Sequence, residues 1–149
     1  MPIELLVRRA PGHDDLPLPR YMSEAAAGMD VCAAVREPLV IAPGEVKLVP
    51  TALYVAVPPG YEIQVRPRSG LALKHGLTIV NSPGTIDADY RGEVGIIVGN
   101  IGREPFTVTR GLRIAQLVVA AVAKVDIRTV DELPATGRGE GGFGHSGTH

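Results

Sequence analysis

Residues 39–65 read LVIAPGEVKLVPTALYVAVPPGYEIQV, and this stretch decides the fold class. Short runs rich in valine, leucine and isoleucine alternate there with the turn pairs Pro43-Gly44 and Pro59-Gly60. Runs of this kind, bounded by proline and glycine, are typical of β-strands joined by tight turns. The stretch therefore predicts four strands, which are Leu39–Ile41, Val46–Val49, Leu53–Val57 and Tyr61–Val65.

The same pattern continues along the rest of the chain. Further β-rich runs are Leu77–Val80, Val94–Val98, Phe106–Val108 and Ile114–Val122, and another strand begins near Met29. A doubly wound α/β fold would need amphipathic helices of about ten or more residues between the strands, and the sequence shows none. We therefore predict an all-β domain, built as a sandwich, a jelly roll or a barrel.

Short helices are predicted at two places only. Gly70–His75 contains good helix formers, with Ser69 as a candidate N-terminal cap and Gly76 as the residue that ends the helix. A weaker pattern predicts a second helix over Val130–Leu133, ended by Pro134.

Composition limits the function classes. The 149 residues are 45% hydrophobic and 21% charged, which is ordinary for one globular domain. A net charge of -1 and a pI of about 6.4 argue against a general nucleic-acid binder. Cys32 is the only cysteine, which excludes an intrachain disulfide and a cysteine-based metal site. The most apolar run, Leu117–Ala123, is too short to cross a membrane, and Met1–Val7 lacks a signal pattern, so we expect a reducing, cytoplasmic setting.

The C-terminal end differs in composition from the rest of the chain. Residues 135–149 are rich in glycine and cannot bury a core, so we predict a β domain over residues 1–134 and a mobile tail over residues 135–149. A disordered tail without function is one interpretation. Arg138 and Phe143 favour another, because a ring can stack on a base and a guanidinium can pair with phosphate.

The densest group of polar residues lies between two apolar runs, from Asn81 to Glu93. One interpretation is a decorated hairpin turn, with Arg91 and Glu93 as a solvated ion pair. Asp87 supports a second interpretation, because a carboxylate held directly after Ile86 could orient and deprotonate a water molecule. The residues alone leave both interpretations open.

Several other positions also have two interpretations. Arg68 and Ser69 could bind phosphate at the start of the predicted helix, or Ser69 could simply cap it. Gln116 lies on an apolar strand face and needs a hydrogen-bond partner, either a neighbouring strand or a ligand. Asp30, near the start of its strand, has a structural interpretation. The four histidines lack ligand spacing, which argues against a zinc site.

Five separated segments, taken in order, resemble the five motifs of the trimeric dUTPase family. They are Ala27–Val31, Arg66–Ala72, Asn81 with Gly84–Glu93, Gly111 with Arg113–Leu117, and Arg138–Gly144. The resemblance implies a jelly-roll-like β fold and a homotrimer with active sites shared between subunits. It also implies Mg²⁺-assisted hydrolysis of dUTP to dUMP and pyrophosphate, which would supply dUMP for thymidylate synthesis and keep uracil out of DNA.

The resemblance also implies roles for single residues. Asp87 is similar to the base that activates the water attacking the α-phosphorus. Tyr90 would lie against the deoxyribose and exclude a 2′-hydroxyl, and Asp30 would order the site as a supporting residue. The implied substrate-binding residues are Arg68, Ser69, Gly70 and Gln116 for the phosphates, Asn81, Gly84, Thr85 and Ile86 for the uracil side, and Arg138, Phe143 and Gly144 in the tail. Mg²⁺ would be held mainly by substrate phosphates and water, without protein ligands.

Two positions depart from the commonest family pattern, and they leave the implied catalytic groups unchanged. Met29 stands where an aromatic residue is frequent, and Thr85 stands where an aliphatic residue is frequent. The alternatives are a dCTP deaminase of the same fold, a bifunctional deaminase and dUTPase, or a catalytically silent nucleotide-binding module. Asp87, Tyr90 and the complete tail favour dUTP hydrolysis, with no nucleic-acid or membrane partner.

Overall fold

The computed structural model describes residues 2–149, which form eleven strands and one helix. The strands are β1 (Leu6–Arg9), β2 (Arg20–Tyr21), β3 (Met29–Cys32), β4 (Leu39–Ile41), β5 (Val46–Ala56), β6 (Tyr61–Arg66), β7 (Leu77–Ile79), β8 (Gly84–Ile86), β9 (Glu93–Asn100), β10 (Phe106–Val108) and β11 (Arg113–Ala121). The helix α1 spans Ser69–His75. No helix in this described part of the chain is long and apolar enough to span a membrane.

Two main antiparallel sheets enclose the core. One has the strand order β1-β5-β9-β7 and the other β2-β3-β11-β6-β8, while β10 and β4 form a small third sheet. All three contribute to one buried cluster, to which β9 supplies Ile96, β6 supplies Ile63 and β4 supplies Ile41. Burying a side chain of this size contributes about 1.5–3 kcal/mol. Sheets packed over a common core confirm the predicted all-β, jelly-roll-like fold.

Strand β5 corrects the boundaries predicted from the sequence. The runs Val46–Val49 and Leu53–Val57 were expected to be separate strands, but they belong to one strand of eleven residues. Its register with β9 shifts between Pro50 and Tyr54, where a bulge interrupts the ladder. Proline has no N–H to donate, so Pro50 predicts the end of a strand. In the structure, the chain passes through Pro50 and stays in the sheet by forming a bulge.

The bulge is held by side chains as well as by the ladder. Ala52 has a φ of 56°, in the left-handed region that costs a non-glycine residue roughly 1–2 kcal/mol. The Thr51 hydroxyl donates to the carbonyl of Val94 over 2.5 Å, and the Ala52 N–H donates to Oε1 of Glu93 over 2.7 Å. These bonds replace ladder pairs that the bulge removes.

The helix is present, but the prediction of its cap is wrong. Ser69 is the first helical residue, and Arg68 occupies the capping position with extended backbone and no capping bond from its side chain. Gly76, at a φ of 66°, ends the helix as predicted, with its N–H bonded to the carbonyl of Ala72. The guanidinium of Arg68 is engaged elsewhere, as described below.

The second predicted helix is wrong. Residues 130–133 have no helical turn, and Leu133 is 84% exposed. A segment this short gains too little from its own hydrogen bonds to become helical without a surface to pack on.

A polar clamp holds the N-terminal segment against the turn between β10 and β11. Arg110 donates to both carboxylate oxygens of Asp15, over 2.9 and 2.7 Å, and its Nη2 lies 3.1 Å from Nδ1 of the buried His13. The hydrogen bond from Arg110 lowers the pKa of Asp15 below its ordinary value and raises that of Arg110.

We expect Asp15→Asn to lower the melting temperature at neutral pH, with an effect that shrinks as the pH falls. A carboxyl group with a depressed pKa stabilises the fold above its unfolded pKa, and this stabilisation is lost as the pH falls through the folded pKa. Melting curves of wild type and variant at pH 7 and pH 2.5 test this, with Asp14→Asn as the neighbouring control. An equal difference between Asp15→Asn and wild type at both pH values would contradict the ion pair's role.

Candidate active site

The loop between β8 and β9, two strands that belong to different sheets, carries the predicted catalytic carboxylate. Asp87 follows β8 directly and is exposed, and its carbonyl accepts a hydrogen bond of 3.1 Å from the N–H of Tyr90. Its side chain lines an open hollow of about 530 Å³ together with Glu62, Asp89, Arg91 and Lys124. A carboxylate in that position has room for a water molecule and a substrate beside it.

Tyr90 folds back over the turn. Its hydroxyl donates to the carbonyl of Glu93 over 2.8 Å, and a Cβ built on Gly92 would lie 2.5 Å from its Cζ. Only glycine at position 92 leaves space for the ring. Tyr90 also borders a smaller cleft of about 140 Å³, with Thr85 and Ile86 on its wall.

Strand β8 and the residues just before it bring the predicted uracil-side residues together. In the pairing of β8 with β6, Gly84 lies opposite Val65 and Thr85 opposite Gln64. A Cβ built on Gly84 would lie 3.1 Å from Cβ of Val65 and 3.2 Å from Nδ2 of Asn81. The Asn81 amide therefore lies over a glycine with little free space, at the opposite end of β8 from Asp87.

The predicted solvated pair of Arg91 and Glu93 is wrong. Arg91 donates through Nη1 to the carbonyls of Ala88 and Tyr90, over 2.7 and 2.8 Å. The Glu93 carboxylate points the other way and accepts from Ala52. Both side chains therefore bond to main-chain groups. Arg91 does so within the turn, and Glu93 does so on the neighbouring strand β5.

A second group of predicted residues gathers around Asp30, whose side chain is only 6% exposed. Its Oδ2 lies 3.0 Å from Nη1 of Arg113 and 3.4 Å from Nε of Arg68. Arg68 also donates through Nη1 to the carbonyl of Arg113 over 3.0 Å. Because two guanidinium groups share one carboxylate, the cluster keeps a formal charge of about +1, which suits an anionic ligand.

Gln116 lies between this cluster and β6. It pairs with Asp30 on one side and with Arg66 on the other, and a Cβ on Gly28 would lie 3.2 Å from its Oε1. The guanidinium of Arg66 donates to the neutral Oε1 of Gln64 over 2.7 Å. That bond leaves the charge of Arg66 unneutralised beside Gln116.

The predicted phosphate residues of the helix lie next to the Asp30 cluster. Ser69 and Gly70 are exposed, and a Cβ on Gly70 would meet nothing within 4 Å. Cys32 pairs with Arg113 in the neighbouring strand, and burial raises the pKa of its thiol. A thiol kept protonated in this way is a poor nucleophile, so the cluster is suited to binding rather than covalent chemistry.

The tail is a series of turns whose hydrogen bonds are made within the tail itself. Arg138 donates through Nε to the carbonyl of Gly141 over 2.6 Å, so its guanidinium is bonded within the tail. Phe143 is fully exposed and has a φ of 49°, next to Gly144 at 89°. The ring that was predicted to stack on a base faces solvent in this single chain.

Comparison with known proteins identifies the family. The sequence pattern described as dUTPase matches residues 14–147. The chain belongs to the dUTPase family. It is 53% identical over 147 residues to the deoxyuridine 5′-triphosphate nucleotidohydrolase of Caldanaerobacter subterraneus subsp. tengcongensis, and the alignment covers 99% of each protein.

Solved structures of a phage dUTPase have the same fold. The Staphylococcus bacteriophage 80alpha dUTPase with dUPNHPP superposes with a TM-score of 0.87 at 27% identity, covering 97% of this chain and 99% of that one. A variant of the phage enzyme with dUpNHpp gives a TM-score of 0.86 at 26% identity and the same coverage.

Within one chain of this dUTPase, the predicted site residues form separate groups. Ile86 pairs with Ile63, so Asp87 lies level with Glu62, whereas Gln116 pairs with Arg66. Four residues of strand separate those levels, which is roughly 13 Å. Asp87 and the Asp30 cluster therefore lie toward opposite ends of β6, while Gly84, opposite Val65, lies near the end that carries Arg66. The tail is a third group.

Reasoning from the sequence did not assign Arg113 to the cluster around Asp30. Its partner, Asp30, lies on a different strand, and only the register of β11 against β3 brings the two together. The available signal was an arginine directly before the predicted strand Ile114–Val122 and three residues before Gln116.

Proposed function

We propose that this dUTPase hydrolyses dUTP to dUMP and pyrophosphate, with Asp87 as the general base. Membership of the family supports the reaction, and the observation that carries the residue assignment is the exposed carboxylate of Asp87 beside Tyr90. Asp87 orients a water molecule and takes its proton as the oxygen attacks the α-phosphorus. The bond to the bridging oxygen breaks, and pyrophosphate leaves. Phosphoryl transfer depends mainly on positioning and on neutralising charge, so no covalent nucleophile is needed.

Strand β8 and the loop that follows it supply the nucleoside site. The cleft bordered by Thr85, Ile86 and Tyr90 lies on the same turn as Asp87, which suits a base and sugar held next to the attacked phosphorus. The Asn81 amide offers a donor and an acceptor to the uracil edge. The Tyr90 ring stands where a 2′-hydroxyl would need space.

The Asp30 cluster supplies the phosphate site. Arg68 is fixed by Asp30 and by the carbonyl of Arg113, so it meets a phosphate with little loss of side-chain freedom. Gln116, Ser69 and Gly70 line the same region and add neutral donors. From the tail, Arg138 contributes a further guanidinium and Phe143 an aromatic face, while Gly144, at a φ of 89°, allows the turn that follows the ring.

The donor set of the chain fits a metal carried by the substrate. Among residues 2–149, no cluster of three or more His, Cys, Asp or Glu side chains could hold a metal ion. Mg²⁺ prefers phosphate oxygens and water, with one or two carboxylates at most. When bound with the triphosphate, Mg²⁺ neutralises phosphate charge and polarises the phosphoryl oxygens.

We infer that the active site is shared between copies of the chain in a homotrimer. A general base must lie within hydrogen-bond reach of the attacking water. Asp87 and Gln116 lie at levels roughly 13 Å apart along β6, a separation that supports a site whose base comes from one chain and whose phosphate-binding groups come from another. In this arrangement, the β8–β9 loop of one copy meets the Asp30 cluster of another.

The surface that joins the copies has a candidate in the sheet β1-β5-β9-β7. Its outward side carries four apolar side chains, Val46, Leu48, Val80 and Ile97, which are between 36% and 65% exposed. Leu48 lies opposite Ile97 in the ladder, so these side chains form a continuous patch, the outer apolar face. Patches of this kind on soluble proteins mark interfaces.

We expect Leu48→Glu to separate the trimer and to lower dUTP hydrolysis by about a hundredfold, because an isolated chain has no complete site. A buried unpaired carboxylate at the interface is costly. Light scattering after gel filtration gives the mass, and pyrophosphate release gives the activity. Val40→Glu, on an exposed position of β4, is the control and should leave the trimer intact. A Leu48→Glu monomer with full activity would contradict the shared site.

The reaction itself is tested by measuring products from several nucleotides. Incubation with dUTP and Mg²⁺ should release pyrophosphate, with much slower release from dTTP and UTP. Ammonia released from dCTP would indicate a deaminase instead. Nucleotide binding without turnover would indicate a silent binding module.

A further inference from the structure

Glu93 accepts one hydrogen bond through its carboxylate and another through its main-chain carbonyl, and no role has yet been assigned to it. It is the first residue of β9 and pairs with Tyr54 of β5. Its carboxylate Oε1 accepts from the N–H of Ala52 over 2.7 Å, and its main-chain carbonyl accepts from the hydroxyl of Tyr90 over 2.8 Å. One residue therefore connects the bulge of β5 to the aromatic ring of the nucleoside site.

The attachment at the β5 side is made to a backbone group that lacks a ladder partner. The register of β5 against β9 shifts between Pro50 and Tyr54, and Ala52 lies within that interval at a φ of 56°. Because the bulge turns the Ala52 N–H away from regular pairing, the Glu93 oxygen is its acceptor. The carbonyl of Ala52 accepts a hydrogen bond from the N–H of Ala10, the residue that follows β1, so the bulge is anchored on both sides.

The attachment at the Tyr90 side is the hydrogen bond that sets the direction of the ring. Tyr90 is 44% exposed, so packing alone leaves much of it free. Its ring lies over Gly92, and its hydroxyl donates to the carbonyl of Glu93. The position of the hydroxyl therefore depends on the position of that carbonyl. Glu93 and Tyr90 both border the small cleft with Thr85 and Ile86.

We propose that Glu93 is a positioning residue that holds Tyr90 in the orientation that excludes a ribonucleotide. Its carboxylate, anchored on Ala52, fixes its carbonyl, and that carbonyl fixes the Tyr90 hydroxyl. This inference rests on the proposed function, in which Tyr90 lies against the deoxyribose. Because the Glu93 carboxylate is engaged by the N–H of Ala52, the residue acts on sugar selection through Tyr90 rather than on the chemical step.

The test is the ratio of kcat/KM for dUTP to kcat/KM for UTP, measured for wild type, Glu93→Ala, Glu93→Gln, Tyr90→Phe and the double variant. Glu93→Ala should lower the ratio about tenfold, because a misplaced contact group loses selectivity. Glu93→Gln retains an oxygen that can accept from Ala52, so it should recover most of the ratio. Tyr90→Phe removes the same link from the other end and should lower the ratio as Glu93→Ala does.

The double variant separates positioning from general destabilisation. If Glu93 acts through the Tyr90 hydroxyl, adding Glu93→Ala to Tyr90→Phe should lower the ratio little further. Independent effects that multiply in the double variant, or a Glu93→Ala ratio equal to wild type, would overturn the proposal. A wild-type enzyme that does not hydrolyse dUTP at all would instead reject the proposed function.

Discussion

Replacing Asp87 with asparagine is expected to lower kcat for dUTP hydrolysis by about 10²–10⁴-fold, the usual contribution of a general base. The amide keeps the size of the side chain and can still touch a water molecule, but it cannot take its proton. Because Asp87 is exposed and lies outside the core, the fold and its melting temperature should be unchanged. Single-turnover pyrophosphate release measures the chemical step directly.

The neighbouring acid provides a matched control for this result. Asp89 lies two residues further on and lines the same hollow of about 530 Å³, so Asp89→Asn removes the same charge from the same region. It should reduce kcat by no more than a few-fold, since surface substitutions away from reacting groups have small effects. A non-hydrolysable dUTP analogue should bind Asp87→Asn nearly as well as wild type. Equal losses in the two variants would assign the effect to the local field rather than to proton transfer.

Removing residues 138–149 is expected to lower kcat/KM for dUTP by about a hundredfold while leaving the β domain folded. The deletion takes away the guanidinium of Arg138 and the ring of Phe143, and with them the closure that would exclude water. The tail contributes no residue to the buried clusters, so circular dichroism and the melting temperature should not change.

A shorter deletion tests whether these two side chains are responsible. Removing only residues 145–149 leaves Arg138, Phe143 and Gly144 in place and should have little effect on kcat/KM. If both deletions had wild-type kinetics, the tail would be a dispensable extension. If the shorter deletion were as damaging as the longer one, the effect would belong to the last residues and not to the arginine and the ring.

The sequence predicted those parts of the fold that depend on local pattern. Turn pairs and β-branched runs located most strands, and Gly76 located the end of the helix because its left-handed backbone favours glycine. Local pattern failed where distant contacts decide. Pro50 looks like the end of a strand, but hydrogen bonds from Thr51 and Ala52 to β9 carry β5 through it. Ser69 looks like a cap, but it is the first helical residue, and Arg68 takes the capping position while its side chain contacts Asp30 on β3.

The candidate site was predictable as a set of residues but not as an arrangement. The five motif resemblances supplied Asp87, Tyr90, Arg68 and Gln116 by position along the chain. Which of them lie together depends on register, because pairing Ile86 with Ile63 moves Asp87 away from Gln116. Arg113 and Glu93 act through groups on other strands, and no property of either residue alone distinguishes it from an ordinary charged surface position.

The separation of Asp87 from the Asp30 cluster along β6 has a genetic consequence. If each site takes its base from one copy and its phosphate ligands from another, a defective copy affects sites that also contain intact neighbours. Two different inactive alleles, one damaged in the β8–β9 loop and the other in the arginine cluster, would then complement each other, because mixed assemblies contain some sites made only of undamaged parts. Two alleles damaged in the same loop would not. In a shared site, the spacing of these groups along β6 would therefore decide which pairs of inactive alleles complement each other.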